Sequence, residues 1–411
     1  MGPVTVAGLP PGLRIDAARA RVRLSPTDPA FVADPYPSYR AIREACPLFV
    51  WEDYGHLCAA DAATVDALFR DRRFGREAPG RPPPPEHTRP FHDLDALSML
   101  EREPPAHTRL RRLLAGAFVP RAIERLRPRA EALAATLLDA IPAGDAVDLL
   151  PLFAEPIPVV LIAELLGVPA TDAPRLLDWS HRMVTMYRPG RSRAQEDAAV
   201  SAALDFSAYL RATLRERRAR PRDDLMTVLA TADSADMTED EAVANAVLLL
   251  NAGHEATVHA VGNGVAAILG AGLDPAVLFA SPERIAATVE EILRFEPPLH
   301  LFVRHALEPV SVAGVDFTLG ERVGLLIGAA NRDPARWPEP DRFDPARAPA
   351  PHVAFGGGLH FCLGAPLARL ELGTALPMLF ARFPALRLAE PPRFADRYHF
   401  RGLDALRVTT A

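Results

Sequence analysis

The chain has 411 residues, 49% of them apolar and 24% charged, and a net charge of -6 from 46 basic against 52 acidic residues. This is an ordinary globular composition, long enough for a large buried core, and it excludes disorder as the main state. So even a balance argues against a dedicated nucleic-acid or anionic-membrane binder. None of the 46 basic residues is a lysine, which removes phosphate-loop, kinase and pyridoxal Schiff-base chemistry. The three cysteines, Cys46, Cys58 and Cys362, have no Cys-x-x-Cys or Cys-x-x-Cys-His spacing. No signal-like apolar run opens the chain, and the greasiest stretches are interrupted by Glu164 or by His254, Glu255 and His259. Neither export nor a membrane span is expected, and the expected location is the cytoplasm.

Residues 1–33 read as a partly ordered N-terminal extension and residues 34–411 as a single domain. Residues 48–51 and 56–59 are strand-like. The 42 prolines, roughly twice the usual share, cluster between apolar-periodic segments. The densest cluster, 79–90, predicts a surface loop that also suits a lid. Helical patterns follow at 107–118, 123–138, 155–167 and 194–220, the last stopped by Pro221. Thr238 and Glu241 form a capping-box signal opening the longest pattern, to about residue 270, and a helix of that length must cross the middle of the molecule. Ser281-Pro282 opens a helix to Phe295, ended by Pro297 and Pro298. Residues 302–319 alternate like strands, with Gly314 as a turn. The expected fold is mainly α with a minor antiparallel β region.

The sharpest chemical feature is Phe355-Gly356-Gly357-Gly358-Leu359-His360-Phe361-Cys362-Leu363-Gly364, directly before a helical pattern at 365–380. A cysteine near a helix N-terminus faces the positive end of the dipole, which favours thiolate, and glycines let the backbone approach a flat ligand. This predicts a metal-bound sulfur; the alternative is a glycine hinge beside a buried cysteine acting as a small hydrophobe. Glu291-Ile292-Leu293-Arg294 sets acid and base three apart on a helix face, a spacing also common in solvated ion pairs. His107 and Arg111 share a helical face four residues apart. The run Ala252-Gly253-His254-Glu255-Ala256-Thr257 puts an acid inside the longest helix, where an unpaired carboxylate is expensive.

Together these segments resemble the cytochrome P450 family. The cysteine segment matches the family's Phe-Gly-x-Gly-x-His-x-Cys-x-Gly at all six specified positions. Glu291-Ile292-Leu293-Arg294 fits its Glu-x-x-Arg, and Pro340-Asp341-Arg342-Phe343 is similar to its Pro-x-Arg-Phe. The likeness runs roughly from residue 34 to 408. It implies the cytochrome P450 fold with a long central helix across haem b. Cys362, in a loop with Phe355 and Gly356, would be the proximal iron ligand, a thiolate that favours O–O cleavage. His107, Arg111, Arg304 and His360 would hold the haem propionates. Glu291, Arg294 and Arg342 would lock the core. Arg109 and Arg112 are expected on the surface, to receive an acidic electron donor.

On the oxygen side the resemblance implies that Ala252 and Gly253 leave room for dioxygen, and that Glu255 and the alcohol after it deliver protons. Ala256 stands where the family has its first threonine. Thr257 is one residue on, about 100° around the helix, and cannot simply replace that hydroxyl. A substrate hydroxyl, or an ordered water relayed from Glu255, is expected to fill the gap near Ala256. Pocket walls are expected at 91–100, 183–187, 249–257 and 299–302. The implied activity is insertion of one O2-derived oxygen atom into an apolar or partly apolar small molecule. Electrons would come from a separate ferredoxin-like donor and its reductase, and the protein is expected to be a monomer. A haem-thiolate peroxygenase, nitric oxide reductase or oxidative-coupling enzyme would share the haem motifs, and Ala256 favours that alternative. A non-enzymatic haem protein would leave Glu255 without a purpose.

Overall fold

The fold is seen in a computed structural model that describes residues 10–80, 82–142, 144, 146–188, 190–396 and 399–410. Its centre is the helix Glu239–Ala271, 33 residues long. The expected capping box forms: the Thr238 hydroxyl accepts from the Glu241 N–H at 3.2 Å, and the Glu241 carboxylate accepts from the Thr238 N–H at 2.9 Å. At the other end Gly272 adopts a left-handed conformation and stops the helix. The central helix packs against Pro156–Leu166, Arg193–Ala219, Pro282–Phe295 and Ala365–Arg382. One apolar cluster, including Phe153, Phe206, Val261 and Leu376, fills the space between these elements.

Proline positions decide several helix ends. The pattern at 123–138 is two helices, Pro120–Glu124 and Arg127–Ala140, each with proline in its first turn. The proline-rich run is loop only as far as Pro85, because Pro90 starts the helix Arg89–Asp95; Arg81 within that run lies outside the described residues.

The main sheet has seven strands in the spatial order Arg14–Asp16, Arg21–Arg23, Leu48–Trp51, His56–Ala59, Arg322–Leu326, Leu301–Ala306 and Phe74–Gly75. Two of its pairings are parallel, so this sheet is mixed rather than purely antiparallel. The hairpin Val310–Val312 with Val315–Phe317 turns at Gly314 as expected. The segment read as an N-terminal extension is part of this sheet from Arg14 on, with Val22, Leu24 and Phe31 packed against Trp51. The arginines between its inward residues hid the strand pattern; residues 1–9 lie outside the described residues. Among the described residues no helix is long and apolar enough to cross a membrane.

Candidate functional site

The cysteine loop closes on itself, the Cys362 N–H donating to the Phe355 carbonyl at 3.0 Å. Gly356 and Gly358 have φ of 68° and 65°, and a Cβ on Gly358 would lie 2.3 Å from the Phe69 carbonyl oxygen. The loop is thus pinned on the helix Ala62–Arg70 and delivers Cys362 just before the helix Ala365–Arg382. Cys46 and Cys58 are buried, whereas Cys362 is exposed and its neighbour Phe361 is 40% exposed. A small buried hydrophobe is therefore the role of the first two and not of Cys362. Protein crowding around the sulfur pushes the Cys362 thiol up, against the Gly364 N–H, Arg111, the Ala365 N–H and Arg369. The helix terminus alone does not produce the expected thiolate; a bound metal ion would displace the proton.

Three elements bring four basic side chains to the same side. His107, on the helix Ala106–Ala115, is 1% exposed, lies with its ring 4.5 Å from that of His360, and among the described residues has no hydrogen-bond partner for Nδ1. Burial, His360 and Arg111 lower its pKa to about 4. Arg304, also 1% exposed, lies over the rings of Phe302 and Phe69 at 4.9 and 5.3 Å. Among the described residues its one hydrogen bond is a 3.4 Å contact to the Val303 carbonyl, and it forms no ion pair. Burial and the nearby Arg76 bring its pKa down to about 9, far from a normal guanidinium. Arg111 donates to the Phe361 carbonyl at 2.7 Å. His360 is taken by Glu103 at 2.9 Å, and Glu103 also accepts the Arg76 N–H at 2.6 Å. Glu103 was missed in the sequence; its spacing four before His107 was the available signal.

A buried cation without an anion costs several kcal/mol. Arg304, with Arg111 beside the cysteine and His107 as a hydrogen-bond donor, fits the acidic side chains of a porphyrin, and the exposed residue Cys362 fits its metal. The residues present therefore suit a haem.

The central helix has an open face in mid-course. Ala252 is exposed between buried Leu250 and His254, and Leu248 and Ala256, four residues to either side, are partly exposed on the same face. Gly253 points elsewhere: a Cβ there would lie 2.7 Å from Ile162. Its small size admits a neighbouring helix, and of that pair Ala252 is the one on the open face. Glu255 is buried among imidazoles, with His259, His254 and His181 Nε2 atoms at 3.5, 3.6 and 3.8 Å. Burial alone would raise its pKa, but those histidines, His259 foremost, hold it at about 2. Thr257 is buried beside Glu371, whose carboxyl is raised well above the usual range by burial and only eased by Thr257. Neither oxygen of Glu371 makes a full hydrogen bond. The hydroxyl of Thr257 thus serves another side of the helix than Ala256. Glu371, one acid in an otherwise apolar stretch of helix, was a second signal passed over.

A cavity lined by Leu94, Ser98, Met183, Tyr187, Val247, Leu248 and Asn251 joins three of the expected pocket walls. The core lock forms with one change of partner. Arg294 pairs with Glu291 through two 2.7 Å contacts and donates to the carbonyls of Asn331, Pro340 and Arg342 at 3.0, 2.8 and 3.2 Å. The Arg342 side chain, expected as the third member, is 62% exposed and meets Glu339 and Asp344 instead. Arg347 takes its place, 3.6 Å from Glu291 and 12% exposed, because the loop turns five residues later. Arg109 also departs from expectation. It binds Glu241 at 2.6 and 3.1 Å, tying its helix to the start of the central helix, while Arg112 remains exposed and pairs with Asp236.

A family profile described as Cytochrome P450 matches residues 285–396. The chain is 34% identical to the biotin biosynthesis cytochrome P450 of Bacillus subtilis (strain 168), over 92% of this chain and 97% of that one. It is 36% identical to the cytochrome P450 monooxygenase PikC of Streptomyces venezuelae, over 92% and 91% of the two chains. The crystal structure of P450BioI in complex with hexadec-9Z-enoic acid ligated acyl carrier protein superposes with a TM-score of 0.87 at 34% identity, covering 92% of this chain and 99% of that one. With sequence and fold matched over 92% of its length, and with a cysteine loop and a set of basic side chains suited to haem, the chain belongs to the cytochrome P450 family and is a haem-thiolate monooxygenase of that class.

Proposed function

We propose that this monooxygenase uses haem b, held through Cys362 and the cation set His107, Arg111, Arg304 and His360, to oxidise an apolar or partly apolar small molecule. The carrying observation is the pairing of one exposed cysteine on a glycine loop with a buried Arg304 that forms no ion pair among the described residues. When bound, the haem supplies activation of dioxygen with electrons delivered one at a time. Those electrons come from a separate ferredoxin-like donor and its reductase, and the enzyme works as a cytoplasmic monomer built of one domain. The fatty acyl chain on the carrier protein in the related P450BioI structure supports the apolar character of the substrate.

The chain's own residues divide the remaining work. Arg304 orients the cofactor by neutralising an acidic group, and His107 by donating a hydrogen bond to one. Ala252 and Ala256 give the central helix a smooth face, and Met183, Val247 and Leu248 wall the adjoining cavity. Glu255, held ionised by its histidines, accepts and passes on protons rather than storing one. Ala256 has no hydroxyl to carry the last transfer, so a substrate hydroxyl or a water fed from Glu255 carries it.

The test is reconstitution with hemin, reduction and carbon monoxide binding. The native chain gives the absorbance of a thiolate complex and Cys362→Ser loses it entirely; an imidazole-type spectrum from the native chain would refute the assignment. Ala256 also favours a second reading, a peroxygenase or oxidative-coupling enzyme that needs no hydroxyl there. Turnover with peroxide, and none with any reductase chain, would select it.

A further inference from the structure

Around Glu255 lies a constellation that haem binding does not use. His181 on the helix Ala173–Val184, with His254 and Glu255 on the central helix, brings three ligand-type atoms within 4.8 Å of one another. His254 Nε2 lies 3.6 Å, and His181 Nε2 3.8 Å, from the same oxygen, Glu255 Oε2. His254 is 1% exposed, and its Nδ1–H donates to the Leu250 carbonyl at 2.9 Å. That bond fixes the tautomer, since a carbonyl oxygen only accepts. Among the described residues, the buried Nε2 has no hydrogen-bond partner. In its neutral form the ring therefore presents the Nε2 lone pair toward the cluster.

We propose that His181, His254 and Glu255 form a binding site for one divalent ion of the zinc class, with solvent in the fourth position. Two imidazoles and a carboxylate suit zinc, whereas calcium and magnesium take oxygen ligands. Metal bonds of about 2.0–2.1 Å in a tetrahedron put ligand atoms about 3.4 Å apart. The 3.6 and 3.8 Å separations exceed that by tenths of an ångström, within reach of small side-chain rotations. His181 is 50% exposed and opens the site to solvent. His259, 3.5 Å from the other oxygen, Glu255 Oε1, steadies the carboxylate from behind, as outer-shell partners of metal ligands do. An ion held here occupies the carboxylate of the proposed proton path, so its binding inhibits turnover. That consequence rests on the proposed proton path; the site itself does not.

Zinc titrated calorimetrically into the haem-loaded protein is expected to bind one ion per chain with a dissociation constant tighter than about 10 µM, and His181→Ala to weaken it at least about tenfold. His181→Ala keeps its haem absorbance, and His254→Ala is a second ligand variant with the same expected loss. Weaker uptake by the native protein, or a smaller loss in His181→Ala, overturns the site. The ferrous carbon monoxide spectrum of the same sample reports separately on the haem assignment.

Discussion

The two sides of the interior settle their charges in opposite ways. Beside the cysteine loop, Arg304 is a buried cation with no ion pair among the described residues, and His107 is a buried neutral imidazole with an unpartnered nitrogen. On the central helix the buried charge is an anion, Glu255, and three imidazoles surround it. The first side is incomplete without an acidic ligand and is strained toward binding one. The second is nearly self-sufficient, and its histidines tune what the carboxylate can do. Residues of the first side should therefore reveal themselves in cofactor retention, and those of the second in proton traffic.

The comparison presupposes that the cysteine-side framework is rigid, and the largest effect tests that. Glu291→Ala leaves Arg294 buried without its carboxylate and also frees Arg347. Breaking such a pair from one side costs about 3–5 kcal/mol, so denaturant unfolding should show a midpoint lowered accordingly and haem content should collapse. Retained haem and stability would mean that the carbonyl bonds of Arg294 suffice.

Arg304→Met separates binding from stability more sharply. Removing a buried charge that forms no ion pair should stabilise the haem-free chain by about 1 kcal/mol, part of the gain being offset by lost attraction to Glu103 and Glu101 and lost contacts with the Phe69 and Phe302 rings. The same change should weaken haem retention at least about tenfold, because a charge-assisted bond to an acidic group is lost. Competition for haem by apomyoglobin and urea unfolding of the haem-free chain give the two readings. A haem-free variant less stable than the native chain would show Arg304 already satisfied.

How far these two sides could be read from sequence follows from how local their signals are. The Cys362 loop is contiguous, and its glycines and helix start announce it. The capping boxes and proline stops likewise placed the central helix and the helix Pro282–Phe295 almost to the residue. Arg304 and His107 lie far apart in the chain, and only the family resemblance joined them. Which arginine completes the Glu291 lock depends on the path of an irregular loop, which is why Arg347 and not Arg342 turned inward. The packing of His181 against Glu255 is a tertiary contact between two helices with no sequence spacing to betray it. Strands 14–16 and 21–23 were hidden because charged residues flank a single inward residue in each.

The pH dependence of the haem-free chain distinguishes the sides with a smaller effect. The His107 pKa is depressed to about 4, whereas an unfolded histidine titrates near about 6.5. Its contribution is complete above that unfolded value and is lost as pH falls toward 4. Glu255, held at about 2, keeps its contribution down to the ordinary glutamate range and loses it only below that. Between pH 7 and 5, His107→Gln should therefore cut the loss of stability by about 1–2 kcal/mol, while Glu255→Gln leaves that slope unchanged. Urea midpoints at the two pH values measure it. Equal slopes in native protein and His107→Gln would show that His107 is not the group that binds the proton.

Ala256→Thr carries the smallest expected effect and bears on the central helix alone. The substitution adds a hydroxyl on the face shared by Ala252 and Ala256, where Thr257 cannot reach because it lies beside Glu371. A positioned proton donor is commonly worth about 10²–10⁴ in rate when none exists. Here Glu255 and its imidazoles already supply a route that ends on water or on the substrate. Coupling of reductant consumption to product should consequently change by less than about twofold, with substrate binding unaltered. A large rise in coupling at unchanged affinity would mean that the native helix lacks a working terminal donor, and the central helix would then be as incomplete as the cysteine side.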